Sequence, residues 1–352
     1  MPSVKINESD TNDVQWRQSA LEVLDGEYHI IHNGILTRQD FSLLFEGEDG
    51  KKHLPVEATH QLNVYSDIHI SSSVLRLLSS HNIKIAFFNG IGQLQGYYLP
   101  AQSTIAGKCI LEQCRMYDHP IARLATAKEF EKAGFHNMLS NLRYYAKTGK
   151  KALKEPVQKL VALKESINNC KSINELILLE ARAKNLYYST FDIIIEGSGF
   201  LFSRRSKRPP KNEINAMISF GNAMLYNKFL QCICCTQLEP KIGVVHATND
   251  RPTSLNLDFA DIFKPLVVDR TIFSLVNRHE IRPERHFSHK GYAVLLNEEG
   301  RRIFIEKMEN KYSSQITVGN ERTTYECLMS QEVSKFQNSL INGELYTPYK
   351  YR

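Results

Sequence analysis

The segment 246–270, HATNDRPTSLNLDFADIFKPLVVDR, brings one imidazole and two carboxylates close together in the sequence. His246 follows a short apolar run, and Asp258 and Asp261 stand three residues apart. A helix over this part of the chain places both aspartates on one face. An imidazole and two carboxylates that converge suit a divalent metal that prefers oxygen ligands. The same pattern also fits a core histidine and aspartates that interact with a helix dipole, so the segment alone leaves both interpretations open.

Glu180 lies within the apolar face of a second predicted helix, 173–192. That face is formed, at helical spacing, by Ile173, Leu176, Ile177, Ala183, Tyr187 and Phe191. A carboxylate on a buried face is unfavourable unless a cation or good donors compensate its charge. Glu180 can pair with Lys184 one turn later, an interaction worth about 0.3–0.5 kcal/mol. Alternatively, it can be the third metal ligand beside His246 and Asp261.

Three segments resemble, in this order, the catalytic domain of the CRISPR adaptation integrase, the first of the universal CRISPR-associated proteins. They are EARAKNLYYSTF at 180–191, RRSKRPPKNEINAMISFGNAMLYN at 204–227 and the segment 246–270 given above. FFNGIGQLQGYYLP at 87–100 resembles the last strands of that family's amino-terminal domain. TTYECLMSQEVSKFQNSLINGELYTPY at 323–349 is similar to its closing helix. The resemblance therefore runs from Tyr28 to the end of the chain.

This resemblance implies a metal-dependent DNA integrase and endonuclease. Its metal ligands fall on Glu180, His246 and Asp261, with Asp258 as a supporting carboxylate. The family joins the 3′-hydroxyl ends of a short DNA, the spacer, to a phosphodiester of a CRISPR array by transesterification, and it can nick branched DNA. Oxygen ligands with one imidazole suit magnesium or manganese, whereas structural zinc calls for thiolates or more histidines.

The resemblance also implies partners and leaves two alternatives. The expected partners are double-stranded and branched DNA, a second copy of the chain in a homodimer, and a small ferredoxin-like CRISPR adaptation subunit. One alternative is a transposon-encoded relative of the same integrase, which uses the same site. The other is a helical DNA-binding protein whose metal site is degenerate.

Positive charge is densest in the loop 203–211, SRRSKRPPK. A charge run of this kind is typical of a solvated loop, but beside a phosphodiester-cleaving site it predicts contacts with the DNA backbone. The residues predicted to bind DNA are Arg204, Arg205, Lys207, Arg208 and Lys211 in the loop, and Arg251, Lys264, Arg270 and Lys290 elsewhere.

Composition is compatible with these expectations without requiring them. The chain has 352 residues, 42% of them hydrophobic, and a net charge of +6, a mild excess that suits nucleic acid. We find no apolar run of about 18 residues and no apolar signal segment, so we expect a cytoplasmic protein that does not enter the membrane. Without a secretory signal, the seven cysteines are expected to be reduced thiols.

The predicted fold class is α+β, with a small mostly-β N-terminal domain followed by a larger all-α catalytic domain. Residues 1–27 form a leader of unknown role, 28–102 the β-rich domain that mediates dimerisation, and 103–352 the catalytic domain. Apolar residues at helical spacing predict helices at 105–117, 120–147, 151–169, 173–192, 212–237 and 322–342. The helix carrying Asp261 must break or kink at Pro265, and a turn is predicted at 298–300.

Overall fold

The computed structural model describes residues 21–24, 27–48, 50–59, 61–88, 94–100, 107–246, 253–319 and 321–351. Most of the predicted leader, together with Arg251, lies outside the described residues. The chain divides into two compact units, Met1–Thr104 and Ile105–Arg352. In the described ranges, no helix is both long enough and apolar enough to cross a membrane.

The N-terminal unit is built from two sheets and one helix. One sheet has five strands in the order β1-β2-β6-β8-β9, and the other has four in the order β5-β4-β3-β7. The helix α1, Ser72–Ser80, begins at Ser71, whose side chain accepts a hydrogen bond from the N–H of Val74. The strands are β1 Leu21–Leu24, β2 Glu27–Ile30, β3 Gly34–Gln39, β4 Ser42–Gly47, β5 Gly50–Leu54, β6 Gln61–Val64, β7 Ile68–Ile70, β8 Lys84–Phe88 and β9 Leu94–Tyr98.

The C-terminal unit is mostly helical, which together with the strand-rich unit confirms the predicted fold class. Its helices are α2 Gly107–Asp118, α3 Pro120–Lys147, α4 Lys154–Ser166, α5 Ile173–Tyr188, α6 Phe191–Ile194, α7 Glu213–Cys234, α8 Leu255–Phe263, α9 Arg270–Asn277, α10 Pro283–His286, α11 Glu298–Ser313 and α12 Tyr325–Asn342. Two short antiparallel hairpins, which the sequence analysis did not predict, interrupt the helices. They are formed by β10 Phe287–Lys290 with β11 Ala293–Leu296, and by β12 Gln315–Val318 with β13 Glu321–Thr324.

The turn predicted at 298–300 is wrong, because α11 begins there. Asn297 caps this helix, and its side chain accepts the N–H of Gly300 at 2.9 Å. Glu298 and Glu299 occupy the first turn, where their charges interact favourably with the helix dipole. Asn297 followed by two glutamates is typical of the start of a helix. Gly300, which is more usual in turns, led to the wrong prediction.

The predicted break at Pro265 is present in a milder form. Helix α8 ends at Phe263, and residues Pro265–Asp269 form a π-helical turn that leads directly into α9. The N–H of Asp269 donates to the carbonyl of Lys264 at 3.0 Å, a spacing of five residues. The π turn accommodates a proline that lacks an N–H without ending the helical run.

Helices α3, α5 and α8 bring the functional side chains together. Gly134 of α3 permits a close approach, since a Cβ there would lie 3.5 Å from the carbonyl oxygen of Asp261 in α8. Phe130, one turn earlier, packs edge-on against Phe259 with ring centroids 5.4 Å apart. Helix α5 begins at Ser172, whose side chain accepts the N–H of Glu175 at 3.2 Å. These contacts fix the helix faces that carry the predicted site.

Candidate active site

Asp258 holds the ring of His246 in one orientation. Its Oδ1 lies 2.7 Å from Nδ1 of His246, and the same carboxylate accepts three backbone N–H groups. These donors are Val244 at 2.5 Å, Val245 at 3.3 Å and His246 itself at 3.0 Å. Because an ionised carboxylate only accepts, Nδ1 carries the proton and the neutral ring presents its lone pair at Nε2. Nε2 lies 3.8 Å from Oδ2 of Asp261, so the free nitrogen is turned toward the second aspartate.

Gly243 makes this arrangement sterically feasible. A Cβ at this position would lie 2.8 Å from the carbonyl oxygen of His246, 2.8 Å from Oγ of Ser254 and 3.0 Å from Oδ2 of Asp258. Ser254, just before α8, donates its hydroxyl to the carbonyl of Lys241 at 2.7 Å. The turn before His246 is therefore packed directly against the carboxylate that orients the ring.

Lys184 links the two remaining predicted ligands. Its Nζ hydrogen-bonds to Oε1 of Glu180 and lies 3.0 Å from Oδ2 of Asp261. The other oxygen of Asp261 accepts a hydrogen bond from Nζ of Lys264. The pairing of Glu180 with Lys184 that the sequence analysis considered is thus present, but it is shared with Asp261. Both carboxylate side chains are only 10–11% exposed, so these ion pairs are largely screened from water.

Glu180, Asp258 and Asp261 line one small cavity, and His246 follows the lining residue Val245 in the chain. The cavity has a volume of about 30 Å³, enough for a water-sized or ion-sized group. Its lining includes Phe130, Glu131, Gly134, Met138, Glu180, Lys184, Tyr187, Tyr188, Val245, Asp258, Asp261, Lys264, Pro265 and Asp269. The sequence prediction therefore selected residues that the fold brings to one place.

The donor chemistry of this cluster fits a divalent metal, although the ligands are not preformed as a metal cage. Among the described residues, no three His, Cys, Asp or Glu side chains converge closely enough to hold an ion as they stand. Glu180 and Asp261 nevertheless offer hard oxygens that a single ammonium already bridges, and His246 offers one nitrogen beside them. This mixture suits magnesium or manganese better than zinc.

Glu131 is a further acidic residue at the cavity that the sequence analysis missed. It is buried on α3, and burial followed by the charge of Glu180 raises the pKa of its carboxyl well above the usual range. The signal was present, since Glu131 follows Ala127 and precedes Phe135 at helical spacing on the buried face. A carboxylate on such a stripe is, like Glu180, a candidate site residue.

The charges of the cluster are mutually dependent. Burial alone would raise the pKa of Asp261, but Lys184 and Lys264 outweigh it and hold that pKa well below its usual range. Burial opposes the charge of Lys184, yet Asp261 and Glu180 raise its pKa well above normal. Burial likewise disfavours protonated His246, but its hydrogen bond to Asp258 leads to a raised pKa. At neutral pH, Asp261 is therefore ionised and Lys184 remains an ammonium ion.

A buried polar network adjoins the cavity and includes two of its lining residues, Tyr187 and Asp269. Tyr187 donates its hydroxyl to Oδ2 of Asp269 at 3.0 Å, and Asn141 donates to the same hydroxyl at 2.9 Å. Burial raises the pKa of Asp269 to about 7. Arg270 donates to Asn141 at 2.7 Å and stacks over the ring of Tyr351, 4.0 Å from its centroid. Its guanidinium is thus engaged within the protein, and this placement gives no support to the predicted DNA contact of Arg270.

The basic loop 203–211 divides into an anchor and an exposed set. Arg205 is the anchor, since it donates to Asn215 at 2.8 Å and to Ser219 at 3.1 Å at the start of α7. The side chains that remain exposed are Arg204, Lys207, Arg208 and Lys211. Partial burial, followed by the charges of Lys184 and Arg205, lowers the pKa of Lys207. The loop therefore brings additional positive charge close to the ammonium groups of the cavity.

The remaining predicted DNA contacts are placed differently. Lys264 belongs to the cavity itself, where it binds Asp261 and lies 4.6 Å from the ring centroid of Tyr226. Lys290 ends β10, and the neighbouring strand donates from Val294 to the carbonyl of Pro210 at 2.9 Å, which attaches this hairpin to the basic loop.

The orienting role of Asp258 makes a pH-dependent prediction. A raised folded-state pKa of His246 contributes stability that is fully present below the unfolded-state value of about 6.5 and is lost as pH rises through the folded pKa. Asp258→Asn should therefore lower the His246 pKa and destabilise the protein more at about pH 5.5 than at about pH 9. Urea unfolding at both pH values measures this difference. In a His246→Gln background, the same substitution should cost equal stability at both pH values, and a persisting difference would contradict the assignment.

Known proteins resemble this chain over most of its length. The family model described as CRISPR associated protein Cas1 matches residues 28–310. A CRISPR-associated endonuclease Cas1 from Thermodesulfovibrio yellowstonii is 36% identical over 323 residues, which cover 91% of this chain and 97% of the relative. A CRISPR-associated endonuclease Cas1 from Clostridium perfringens is 33% identical and covers 92% of this chain and 98% of its own length.

Solved structures share the same architecture. A CAS1 protein from Thermotoga maritima superposes with a TM-score of 0.76 at 32% identity, over 92% of this chain and all of that one. A casposase bound to integration product has a TM-score of 0.74 over 91% of this chain and 92% of its own, but at 18% identity it shows a shared fold only. On the strength of the family match and of relatives that align over nearly their full length, this chain belongs to the Cas1 family of CRISPR-associated proteins.

Proposed function

We propose that this protein is a metal-dependent DNA endonuclease and integrase that inserts short DNA fragments into a CRISPR array by transesterification of their 3′-hydroxyl ends. One observation carries the proposal. Glu180 and Asp261 line one cavity, Nε2 of a histidine oriented by Asp258 lies 3.8 Å from Asp261, and an exposed basic loop brings positive charge near them. The relatives named as CRISPR-associated endonucleases support a nuclease activity.

In the proposed reaction, Glu180, Asp261 and Nε2 of His246 hold magnesium or manganese, and Asp258 keeps the imidazole in the ligating tautomer. When bound, the metal supplies charge stabilisation on the transferring phosphoryl oxygens and lowers the pKa of the attacking hydroxyl. Lys264, fixed to Asp261, adds a positive charge at the edge of the same cavity. No nucleophile of the protein is required. The 3′-hydroxyl of the incoming DNA loses its proton and forms a new bond to the phosphorus of the array, while the bond from that phosphorus to the 3′ oxygen of the array strand breaks and this oxygen takes up a proton.

The basic loop is proposed to position the DNA backbone. Phosphate contacts orient a duplex without selecting its sequence, and the exposed side chains of Arg204, Arg208 and Lys211 are suited to such contacts. Arg205 contributes indirectly, because its bonds to Asn215 and Ser219 hold the loop against α7. Because the exposed cations are proposed to contact phosphates, we expect DNA binding to be independent of sequence and sensitive to salt.

The proposed substrates and partners are double-stranded and branched DNA, a second copy of the chain and a small ferredoxin-like subunit. Two of the structures with the same fold are complexes that contain Cas1 and Cas2, and another is a Cas1–DNA complex. Relatives that are CRISPR-associated proteins are 31–36% identical, whereas the casposase is 18% identical, which favours a CRISPR array over a transposon as the target. Because that array is chromosomal DNA, we also infer a cytoplasmic location.

The metal ligands give a direct test. Glu180→Gln and Asp261→Asn should abolish strand transfer and nicking, and His246→Ala should impair both, while DNA affinity stays nearly unchanged. The reason is that the ligands act on the transition state, whereas phosphate contacts come from other residues. Asp258→Asn should cost about 10–100-fold, as other residues that orient metal ligands do. Activity is measured as joining of a labelled 3′ end to a plasmid carrying the repeat, with the partner subunit present.

Metal replacement and a matched carboxylate serve as controls for this experiment. Manganese should be at least as effective as magnesium at low concentration, and chelation should stop the reaction. Glu155→Gln is the control, because Glu155 is an exposed α4 carboxylate paired with Lys159 in an ordinary helix-surface ion pair. Full activity of the Glu180 variant, or activity after thorough chelation, would show that this cluster is not the active site. Binding without turnover in the native protein would favour the degenerate DNA-binding alternative.

The basic loop makes a second prediction. Replacing Arg204, Arg208 and Lys211 with glutamine should weaken duplex binding and reduce the dependence of log affinity on log salt by about 0.9 for each phosphate that the loop no longer neutralises. Fluorescence anisotropy at several salt concentrations measures both quantities. Lys159→Gln is the control, because Lys159 is an exposed lysine on α4 and does not belong to the loop. This variant should change neither the affinity nor the salt dependence. An unchanged salt dependence in the loop variant would leave the loop as a solvated surface.

Assembly gives a third prediction, which rests on the resemblance to the family. We expect a homodimer formed through the N-terminal unit, visible by light scattering at about 10 µM, a concentration at which stable interfaces are occupied. Ile35 and Phe41 of this unit are 47% and 81% exposed, so Ile35→Asp with Phe41→Asp tests whether an apolar surface there contributes. A monomeric native protein would contradict the predicted dimer.

A further inference from the structure

The most unusual feature of the candidate site is that an ammonium group stands where two metal ligands meet. Nζ of Lys184 bonds to Oε1 of Glu180 and lies 3.0 Å from Oδ2 of Asp261. These are oxygens that the proposed metal would need. A monovalent ammonium and a divalent cation cannot both occupy the same carboxylate oxygens without strong repulsion.

The cluster is already balanced in charge. Two carboxylates, Glu180 and Asp261, face two ammonium groups, Lys184 and Lys264. A divalent cation added to this set leaves an excess of two positive charges within a largely buried space. An incoming DNA phosphate and the departure of one ammonium would together compensate that excess.

Lys184 is the ammonium best placed to leave. Its side chain is 29% exposed, compared with 13% for Lys264. Lys264 is also held 4.6 Å from the ring centroid of Tyr226, a contact additional to its ion pair. Rotation of the more exposed Lys184 side chain would free the oxygens of Glu180 and Asp261.

We propose that Lys184 competes with the divalent metal for Glu180 and Asp261, so that metal affinity is held low until a DNA phosphate draws the ammonium away. Lys184 is in this view a positioning residue that couples metal binding to DNA binding. This inference rests on the proposed metal site and adds to it a reason why metal and DNA bind together. Lys184 was predicted neither as a metal ligand nor as a DNA contact, and the proposal gives it a role.

The test is manganese binding without any reaction. Free Mn²⁺ is followed by electron paramagnetic resonance in titrations of the full-length native protein, Lys184→Met and Lys159→Met, without DNA. Lys184→Met should bind Mn²⁺ about fivefold or more tightly than the native protein, within the range of ordinary coupling between sites. Lys159→Met is the matched control, because Lys159 also pairs with a glutamate four residues away, the exposed Glu155 on α4. This variant should bind Mn²⁺ as tightly as the native protein does. A short duplex should tighten Mn²⁺ binding more in the native protein than in Lys184→Met.

Two further variants separate the possible failures. Glu180→Gln should weaken Mn²⁺ binding in the native background, and no change would show that the proposed metal site is wrong. If Glu180→Gln weakens binding but Lys184→Met binds Mn²⁺ equally or less tightly than the native protein, only the competition is wrong. Lys184→Gln repeats the test with a polar neutral side chain in case the methionine variant folds poorly. The rise in melting temperature on adding Mn²⁺ should be larger for either variant than for the native protein, and an equal or smaller rise would overturn the inference.

Discussion

Every ionised carboxylate that the fold buries must be compensated, and this requirement organises the catalytic unit. Five carboxyl groups line one small cavity, and the environments of four of them differ as follows. Asp258 accepts three backbone N–H groups and an imidazole, Asp261 binds two ammonium groups, and Glu180 binds one. Glu131 is accommodated by the raised pKa of its carboxyl, which favours the neutral form. A site built in this way is electrostatically balanced, and any ligand that carries charge must rearrange it.

The backbone supports this arrangement at close quarters. Helix α3 approaches α8 through Gly134, and the turn before α8 approaches Asp258 through Gly243. The π turn after α8 places Asp269 at the cavity, where it joins Tyr187 of α5 in a buried hydrogen bond. Glu180 and Asp261 therefore sit on packed helices, which limits how far they can move. The side chain of Lys184 is more exposed than that of Lys264, and this contrast is the basis of the proposed competition between Lys184 and a metal.

The position of the basic loop relative to the cavity gives a physical explanation of the resemblance to the family. The anchor residue Arg205 and the exposed cations around it are parts of one segment, and that segment is also bonded to the β10–β11 hairpin. A loop and two helices thereby bring to one region the charge proposed to position the DNA backbone and the residues proposed to carry out the phosphodiester chemistry. The exposed charges carry no sequence-reading arrangement, which is consistent with binding to phosphates rather than to base edges.

The sequence by itself determined the fold class, most of the helices and the three candidate ligands. Apolar residues at helical spacing specify which helix face is buried, and a glutamate on such a face marks a functional position. It could not distinguish between Lys184 and a metal as the partner of Glu180, because both choices satisfy the same local pattern. It also missed Glu131, the two hairpins and α11. It could not show that Arg270 is engaged with Asn141 and Tyr351, and the DNA contact of Arg270 stays a prediction. Only the tertiary structure decided these points, because they depend on which distant segments meet: Asp261 lies 77 positions from Lys184 in the sequence, yet their charged groups are 3.0 Å apart.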